Sequence, residues 1–301
     1  MKISDSAPAK TILFGEHAVV YGEPAIAVPL SGIRTHAEMH PNGREFRVIS
    51  EKAHLNRTYK QLIKGSGLEV LLSRLMTIIG ISELPSDTLK ITSDIPVASG
   101  LGSGAALSVA VIRTFAKRYH KTFPTEFVNE LAYEIEKIYH GTPSGIDNTT
   151  IAYEQPILFS KSTGFTPLRA DINKLNMLVI DSGIRSKTID VVTDVRNNFE
   201  TNEQYIRNIG TLVRTAVNAL GSGDAKEIGT LMNENQSLLR KINVSCPELD
   251  EMIDIGMKNG ALGGKLTGAG RGGNFLILAK DKDHAEKLAS LYEIKGLKVI
   301  L

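Results

Sequence analysis

The sequence predicts an α+β protein of two domains, and three observations carry that expectation. The chain has 301 residues, more than one hydrophobic core usually organises. Its N-terminal part opens on short β-prone apolar runs punctuated by Gly and Pro. Long helical patterns fill 188 to 259, between apolar strands that begin at Leu175 and at Phe275.

The elements follow in order. From Thr11 to Leu30, TILFGEHAVVYGEPAIAVPL reads as strands joined by tight turns, and Ile33, Thr35, Ala37 and Met39 then fall on one face of a strand. The segment Gly67 to Gly80, GLEVLLSRLMTIIG, has helical apolar spacing between glycines, and residues 89 to 95 read as a strand. A glycine-rich turn leads into Ala105 to Tyr119, apolar nearly all round and so a buried helix. A second helix spans Thr125 to Tyr139, with Thr125 as its expected N-cap, and is stopped by Gly141 and Pro143. The turn formers of STGFTPLRAD, Ser162 to Asp171, place the domain boundary after 172, giving domains 1–172 and 173–301. A helix from about Asp283 and a last strand, LKVIL, complete the chain.

Composition excludes several classes. A formal charge of +2, with no basic run interleaved with aromatics, disfavours nucleic acid. The single cysteine, Cys246, excludes an internal disulfide framework and a multi-cysteine metal site, and fits a reducing cytoplasm. The N-terminus MKISDSAPAK lacks the parts of a signal peptide, and no apolar stretch approaches the length of a membrane span. The expectation is therefore a cytoplasmic protein with no membrane or nucleic-acid partner. Apolar surface on the long C-terminal helices would allow a homodimer.

Three glycine-rich stretches carry chemistry. Pro96 to Ala106, PVASGLGSGAA, lies between an expected strand and the start of the buried helix. Glycines there admit a ligand close to the backbone, and free N–H groups with the helix dipole favour an anion. The same glycines serve close packing equally well, and Gly100, Gly102 and Ala105 also fit the GxGxxG/A dinucleotide fingerprint of an NAD-dependent oxidoreductase. That rival requires a strand ending in an acidic residue about 20 positions on; another helix stands there instead. GALGGKLTG has Leu266 where a P-loop needs Ser or Thr. Lys10 to Gly22, KTILFGEHAVVYG, and Lys265 to Asn274, KLTGAGRGGN, add two more glycine turns. Three such loops suggest convergence on one compact polar or anionic ligand.

These stretches carry a resemblance that extends over most of the chain. APAKTILFGEHAVVYGEPAIA resembles the N-terminal signature of mevalonate kinases, PVASGLGSGAALS the phosphate-binding motif of the GHMP kinase superfamily, and KLTGAGRGGN its C-terminal glycine motif. The resemblance implies an N-domain with a left-handed βαβ unit like that of a small-subunit ribosomal protein, a ferredoxin-like C-domain, and an active site between them. It implies ATP and Mg2+ as cofactors, with (R)-mevalonate phosphorylated on its primary hydroxyl to give 5-phosphomevalonate and ADP.

Individual roles follow from the resemblance. Pro96 and the run Ala98, Ser99, Gly100, Leu101, Gly102, Ser103, Gly104 and Ala105 would bind the nucleotide. In GTPSGIDN, Asp147 matches the catalytic base, and Lys10 matches the lysine whose positive charge favours deprotonation of the substrate hydroxyl. Glu136, 11 positions before Asp147, matches the magnesium-binding glutamate, with Glu134 as the alternative in another helix register. The family reads GLGSS where this chain has Gly104 in the last position, so Ser103, a water, or Glu136 with the phosphates would carry the ion. Glu16 and His17 match a substrate-contacting pair and Thr188 a substrate-binding threonine; Gly268 and Ala269 would wall the pocket. Arg185 and Lys187 are further candidate carboxylate partners. Arg271 replaces a usual glycine, reaching either phosphate or solvent. Other superfamily kinases acting on phosphomevalonate, homoserine or a sugar, and a noncatalytic sensor, are the remaining rivals. HAEMH sets His36, Glu38 and His40 on one strand face, as a metal site or a polar solvent face.

Overall fold

The structure is a computed structural model that describes residues 2–96, 99–141 and 143–300, the side chains of His140 and Asn173 excepted. Of the residues expected at the nucleotide, Ala98 lies outside this set. The chain forms two compact units, one of residues 1–10 and 29–154, the other of residues 11–28 and 155–301. They are not two contiguous halves: segments 11–28 and 155–172 belong with the C-terminal unit.

In the first unit, β1 (Ile3–Phe14) contributes its first residues and β2 (Ala25–Pro41) its later ones. There follow β3 (Arg47–Ser50), β4 (Leu55–Thr58), α1 (Gly67–Ile79), β5 (Asp87–Ser93), α2 (Ser103–Arg118), α3 (Thr125–His140) and α4 (Ile146–Tyr153). β5 pairs antiparallel with β2, in the register Thr35↔Ser93, and parallel with β3, which pairs antiparallel with β4. A parallel pair needs a long crossover, and α1 supplies it. Alternation along β2 is as the sequence predicts: Ile33, Thr35, Ala37 and Met39 are buried, and His36, Glu38 and His40 are half-buried. Glu38 pairs with Lys2 at 2.8 Å, and no cluster of three or more His, Cys, Asp or Glu side chains placed to hold a metal occurs among the described residues. The HAEMH face is a polar strand face.

Two local expectations change. The N-cap of α3 is Pro124, with Thr125 the first helical residue. Proline fixes its own φ for helix entry, and its carbonyl accepts from Val128 N at 3.1 Å. The segment after Pro143, to which the sequence assigns no element, forms α4, whose sequence IDNTTIAY has no amphipathic period. Tertiary bonds support this short helix. Asn148 Nδ2 donates to Asn129 Oδ1 at 2.6 Å, and Glu154 at the C-cap accepts from Arg113 and from Arg34, the latter at 3.0 Å.

The second unit holds a hairpin, β6 (Ile157–Ser160) and β7 (Gly164–Pro167), which pairs with residues 25–27 of β2. Next come β8 (Met177–Asp181), α5 (Thr188–Asn197), α6 (Phe199–Ser222), α7 (Ala225–Lys241), α8 (Pro247–Lys258), β9 (Gly263–Thr267), β10 (Asn274–Leu278), α9 (Lys282–Ile294) and β11 (Lys298–Val299). Four strands form an antiparallel sheet in the order β11-β8-β10-β9. An edge strand leaves backbone groups unpaired, and α7 covers this edge: Gly264 N donates to Asn233 Oδ1 at 3.0 Å and Leu266 N to Gln236 Oε1 at 2.9 Å. Half-buried Cys246 caps α8. No helix among the described residues is long and apolar enough to cross a membrane.

Candidate active site

In the first unit the geometry assembles around Lys10. This lysine is 4% exposed, its backbone N donates to Leu101 O at 3.1 Å, and its Nζ lies 2.8 Å from Asp147 Oδ1. Gly102 makes room for it. A Cβ on Gly102, at φ +75°, would stand 3.1 Å from Lys10 Cγ and 2.7 Å from Ile151 Cδ1. The glycine loop is thus packed against the lysine that faces Asp147. Gly102 also caps α2 without a side chain, so the N–H groups of the first turn, among them those of Ser103, Gly104 and Ala105, point their partial positive charge at whatever anion docks there. Ser99 Oγ closes the loop on Pro96 O at 2.8 Å. Asp147 stands in the first turn of α4 with about a third of its side chain exposed, at 32%, accessible to an acceptor while tied to Lys10.

Glu136, on α3, is 3% exposed, and its carboxyl is pushed up to about 7 by burial first, then by the negative charge of Asp147, with Lys10 opposing. Its Oε1 lies 2.8 Å from where a Cβ on Gly104 would be. The Glu136 carboxylate therefore lies directly against Gly104. A desolvated carboxylate close to a second one is a donor set that a hard divalent cation satisfies, and Ser103 opens the adjacent helix. These residues fit magnesium. Glu134 instead faces Arg74, at 3.5 Å, with its side chain half exposed.

A pH dependence follows. The unfolded chain releases the Glu136 proton near 4.5 and the folded one near 7, so the folded state holds an extra proton across that window. By linkage, its stability falls as pH rises from about 4.5 to about 7 and levels off above. In thermal unfolding of the metal-free protein at pH 5 and pH 8, Glu136→Gln is expected to remove this group's share of the slope, so that the variant gains stability at pH 8 relative to pH 5 when set against the unaltered protein. Added Mg2+ should raise Tm more at pH 8 than at pH 5. An unchanged pH slope in the variant would remove Glu136 from this role.

In the second unit, the GEH turn is tied to the strand and turn of the third motif. Thr11 Oγ1 meets Thr267 Oγ1 at 2.9 Å, Glu16 forms a buried ion pair with Lys265, and His17 Nε2 lies 2.8 Å from Ala269 O. Gly15, at φ +97°, allows the chain to pass Pro24 O and Ala25 Cα, both 2.6 Å from where its Cβ would stand. Burial pulls the His17 imidazole below its usual value; the bond to Ala269 opposes this and Arg271 adds to it.

The 182–188 loop joins the same turn. Ser186 Oγ donates to Gly270 O at 2.7 Å, Gly273 N to Ile184 O at 2.9 Å, and Ser182 N to Gly273 O at 2.9 Å. Arg185 is engaged elsewhere, forking onto Asp181 at 2.7 and 2.8 Å and holding that carboxyl below its usual value. Lys187 and Thr188 are exposed at the start of α5. Gly268 sits in the turn at φ +84°. Arg271 reaches protein: its Nε donates to Asn243 O at 3.0 Å and its guanidinium pairs with Asp194.

The structure therefore brings Lys10, Asp147, Glu136 and the glycine loop together, and separately joins Glu16 and His17 to the Gly268–Ala269 turn. Thr188 stands outside this second group, two residues from Ser186. Sequence reasoning missed Lys265, Ser186 and the Asn129–Asn148 bond. For Lys265 a signal existed: read as a strand, KLT sets Lys265 and Thr267 on one face.

The chain matches the family models described as GHMP kinases N terminal domain, over residues 60–155, and GHMP kinases C terminal, over residues 216–292. It is 34% identical to a mevalonate kinase of Thermococcus sibiricus, covering 98% of this chain and 94% of that protein. Among solved structures it is similar to L. major mevalonate kinase in complex with R-mevalonate, with a TM-score of 0.83, 31% identity and coverage of 98% of this chain and 94% of that one. It is likewise similar to the Methanococcus jannaschii mevalonate kinase, with a TM-score of 0.89, 25% identity and coverage of 99% and 97%.

Proposed function

The chain belongs to the mevalonate kinases of the GHMP kinase superfamily, and on that premise we propose that it transfers the γ-phosphoryl group of ATP to the primary hydroxyl of (R)-mevalonate, giving 5-phosphomevalonate and ADP. The observation that carries the chemistry is the contact of Lys10 with Asp147 beside the glycine loop at the head of α2. Phosphoryl transfer asks mainly for alignment and charge stabilisation. Asp147 accepts the hydroxyl proton as that oxygen attacks the γ-phosphorus. Lys10, close by and buried, stabilises negative charge at the reacting centre. The first turn of α2 receives phosphate oxygens. Glu136, with Ser103, would hold magnesium, which when bound neutralises phosphate charge.

His17 and the Ala269 turn serve the acceptor, with Glu16 beside them and Thr188 at the head of α5. Residues 1–172 and 173–301 are read as the N- and C-terminal GHMP domains, and the single half-buried cysteine fits work in the cytoplasm. The dinucleotide reading is not favoured, because α2 is followed by α3 rather than by a strand.

The test is ADP release with Mg-ATP and, in turn, mevalonate, 5-phosphomevalonate, homoserine, galactose and no acceptor. Turnover is expected with mevalonate alone. Preference for another acceptor would replace the substrate, and silence with all would overturn the catalytic reading.

A further inference from the structure

A lysine with no exposed surface is costly unless its charge is compensated, and Lys265 is such a residue, 0% exposed in the middle of β9. Strand alternation sets it on the same face as Thr267, the face that meets segment 11–16. There its Nζ donates to a carboxylate oxygen of Glu16 and to Leu266 O, the latter at 2.6 Å. Glu16 is as deeply buried, with its side chain 0% exposed. A buried pair of this kind adds little stability in itself and can instead fix a conformation.

The next residue supplies one. His17 has φ 60° and ψ −45°, and the bond from Ala18 N to Glu16 O at 2.7 Å closes a three-residue turn around it. This is a γ-turn of positive φ, rare and strained for a residue with a side chain. Such strain persists only where the surroundings over-determine it. Here the turn is held on one side by the ion pair at Glu16 and on the other by the bond from His17 to Ala269. A carbonyl only accepts, so His17 Nε2 carries the hydrogen. A neutral ring, which burial favours, then keeps its lone pair on Nδ1, where it accepts from a hydroxyl and cannot bond a carboxylate.

We infer that Lys265 is a positioning residue: its interior pair with Glu16 holds the strained turn that presents His17, and the Glu16 carboxylate serves this pair instead of touching the acceptor. The inference rests on the reading of His17 as an acceptor contact. It turns Glu16 from a ligand of the substrate into a support of its neighbour.

Imidazole 15N NMR tests this without any acceptor, with the His17 signal assigned by its loss in His17→Gln. In the unaltered protein at neutral pH, His17 is expected as one fixed tautomer, hydrogen on Nε2. Lys265→Met and Glu16→Gln each strand a buried charge and are expected to lower Tm. The double variant strands none and is expected to recover Tm above either single variant. In that double variant the fixed-tautomer signature should nevertheless be lost, and the KM for mevalonate should rise by about tenfold or more while the KM for ATP stays within about twofold. The inference is overturned if His17 in the unaltered protein averages its tautomers, or if the double variant keeps the fixed tautomer. It is equally overturned if Lys265→Met leaves the mevalonate KM unchanged while Glu16→Gln raises it, because Glu16 then touches the acceptor itself. Silence of the unaltered enzyme toward mevalonate would overturn the substrate reading alone, since the NMR result does not depend on it.

Discussion

Asp147→Asn is expected to fold and to lose at least about 100-fold in kcat, the lower range for removal of a general base. The asparagine keeps an oxygen at the position that Lys10 Nζ reaches at 2.8 Å, so the buried lysine retains a hydrogen-bond acceptor. It loses the capacity to take a proton from the substrate hydroxyl. Single-turnover measurement of phosphomevalonate formation separates this step from product release, and circular dichroism reports the fold. A folded variant whose chemical step runs within a few-fold of the unaltered enzyme would remove Asp147 from the base role. Phosphoryl transfer would then depend on positioning by Lys10 and the glycine loop.

Gly270→Ala is expected to be the most destabilising single-methyl change in the third motif. Gly270 has φ +86°, and a Cβ there would overlap Val244 O, a carbonyl already fixed by the bond from Arg271 N at 2.8 Å. No flexible side chain is available to move aside. The left-handed backbone costs about 1 kcal/mol, and the overlap adds about 2 kcal/mol. Together they lower Tm by roughly 5–10 °C for a chain of this size. Because Gly270 O accepts from Ser186 at 2.7 Å, the same change displaces the 182–188 loop and raises the mevalonate KM. Gly22→Ala is the control, at φ +92° with nothing within 4 Å of the added Cβ; it bears the backbone cost alone. Equal Tm losses for the two would show that close approach at Val244 is unimportant.

The family and the glycine loops were legible in the sequence, and the same resemblance singled out Lys10, Asp147 and Glu136, which the folded chain sets near one another. Helices α1 and α3 were legible because their apolar periods run long enough to specify both element and buried face, and α2 because a run apolar nearly all round marks a buried helix. Eight-residue α4 was not, since IDNTTIAY has no period and its helix rests on Asn129, Arg34 and Arg113, distant in sequence. Nor was β9, whose glycines and lysine oppose a strand reading until α7 covers its edge and Glu16 neutralises Lys265.

The tertiary structure alone decided which charges meet. Lys265 reads in sequence as a lysine after two glycines; it becomes the partner of Glu16 through a contact 249 residues long in sequence separation. Arg271, open between phosphate and solvent as a sequence reading, is committed to Asn243 and Asp194. Gly104 stands where the resembled motif has serine, and only the folded chain shows that the Glu136 carboxylate lies against it. Motifs fix the chemistry that a segment can perform, because they constrain backbone and residue type locally. Burial and pairing decide which of those groups are free to act, because desolvation and Coulomb energy depend on neighbours that only the folded chain supplies.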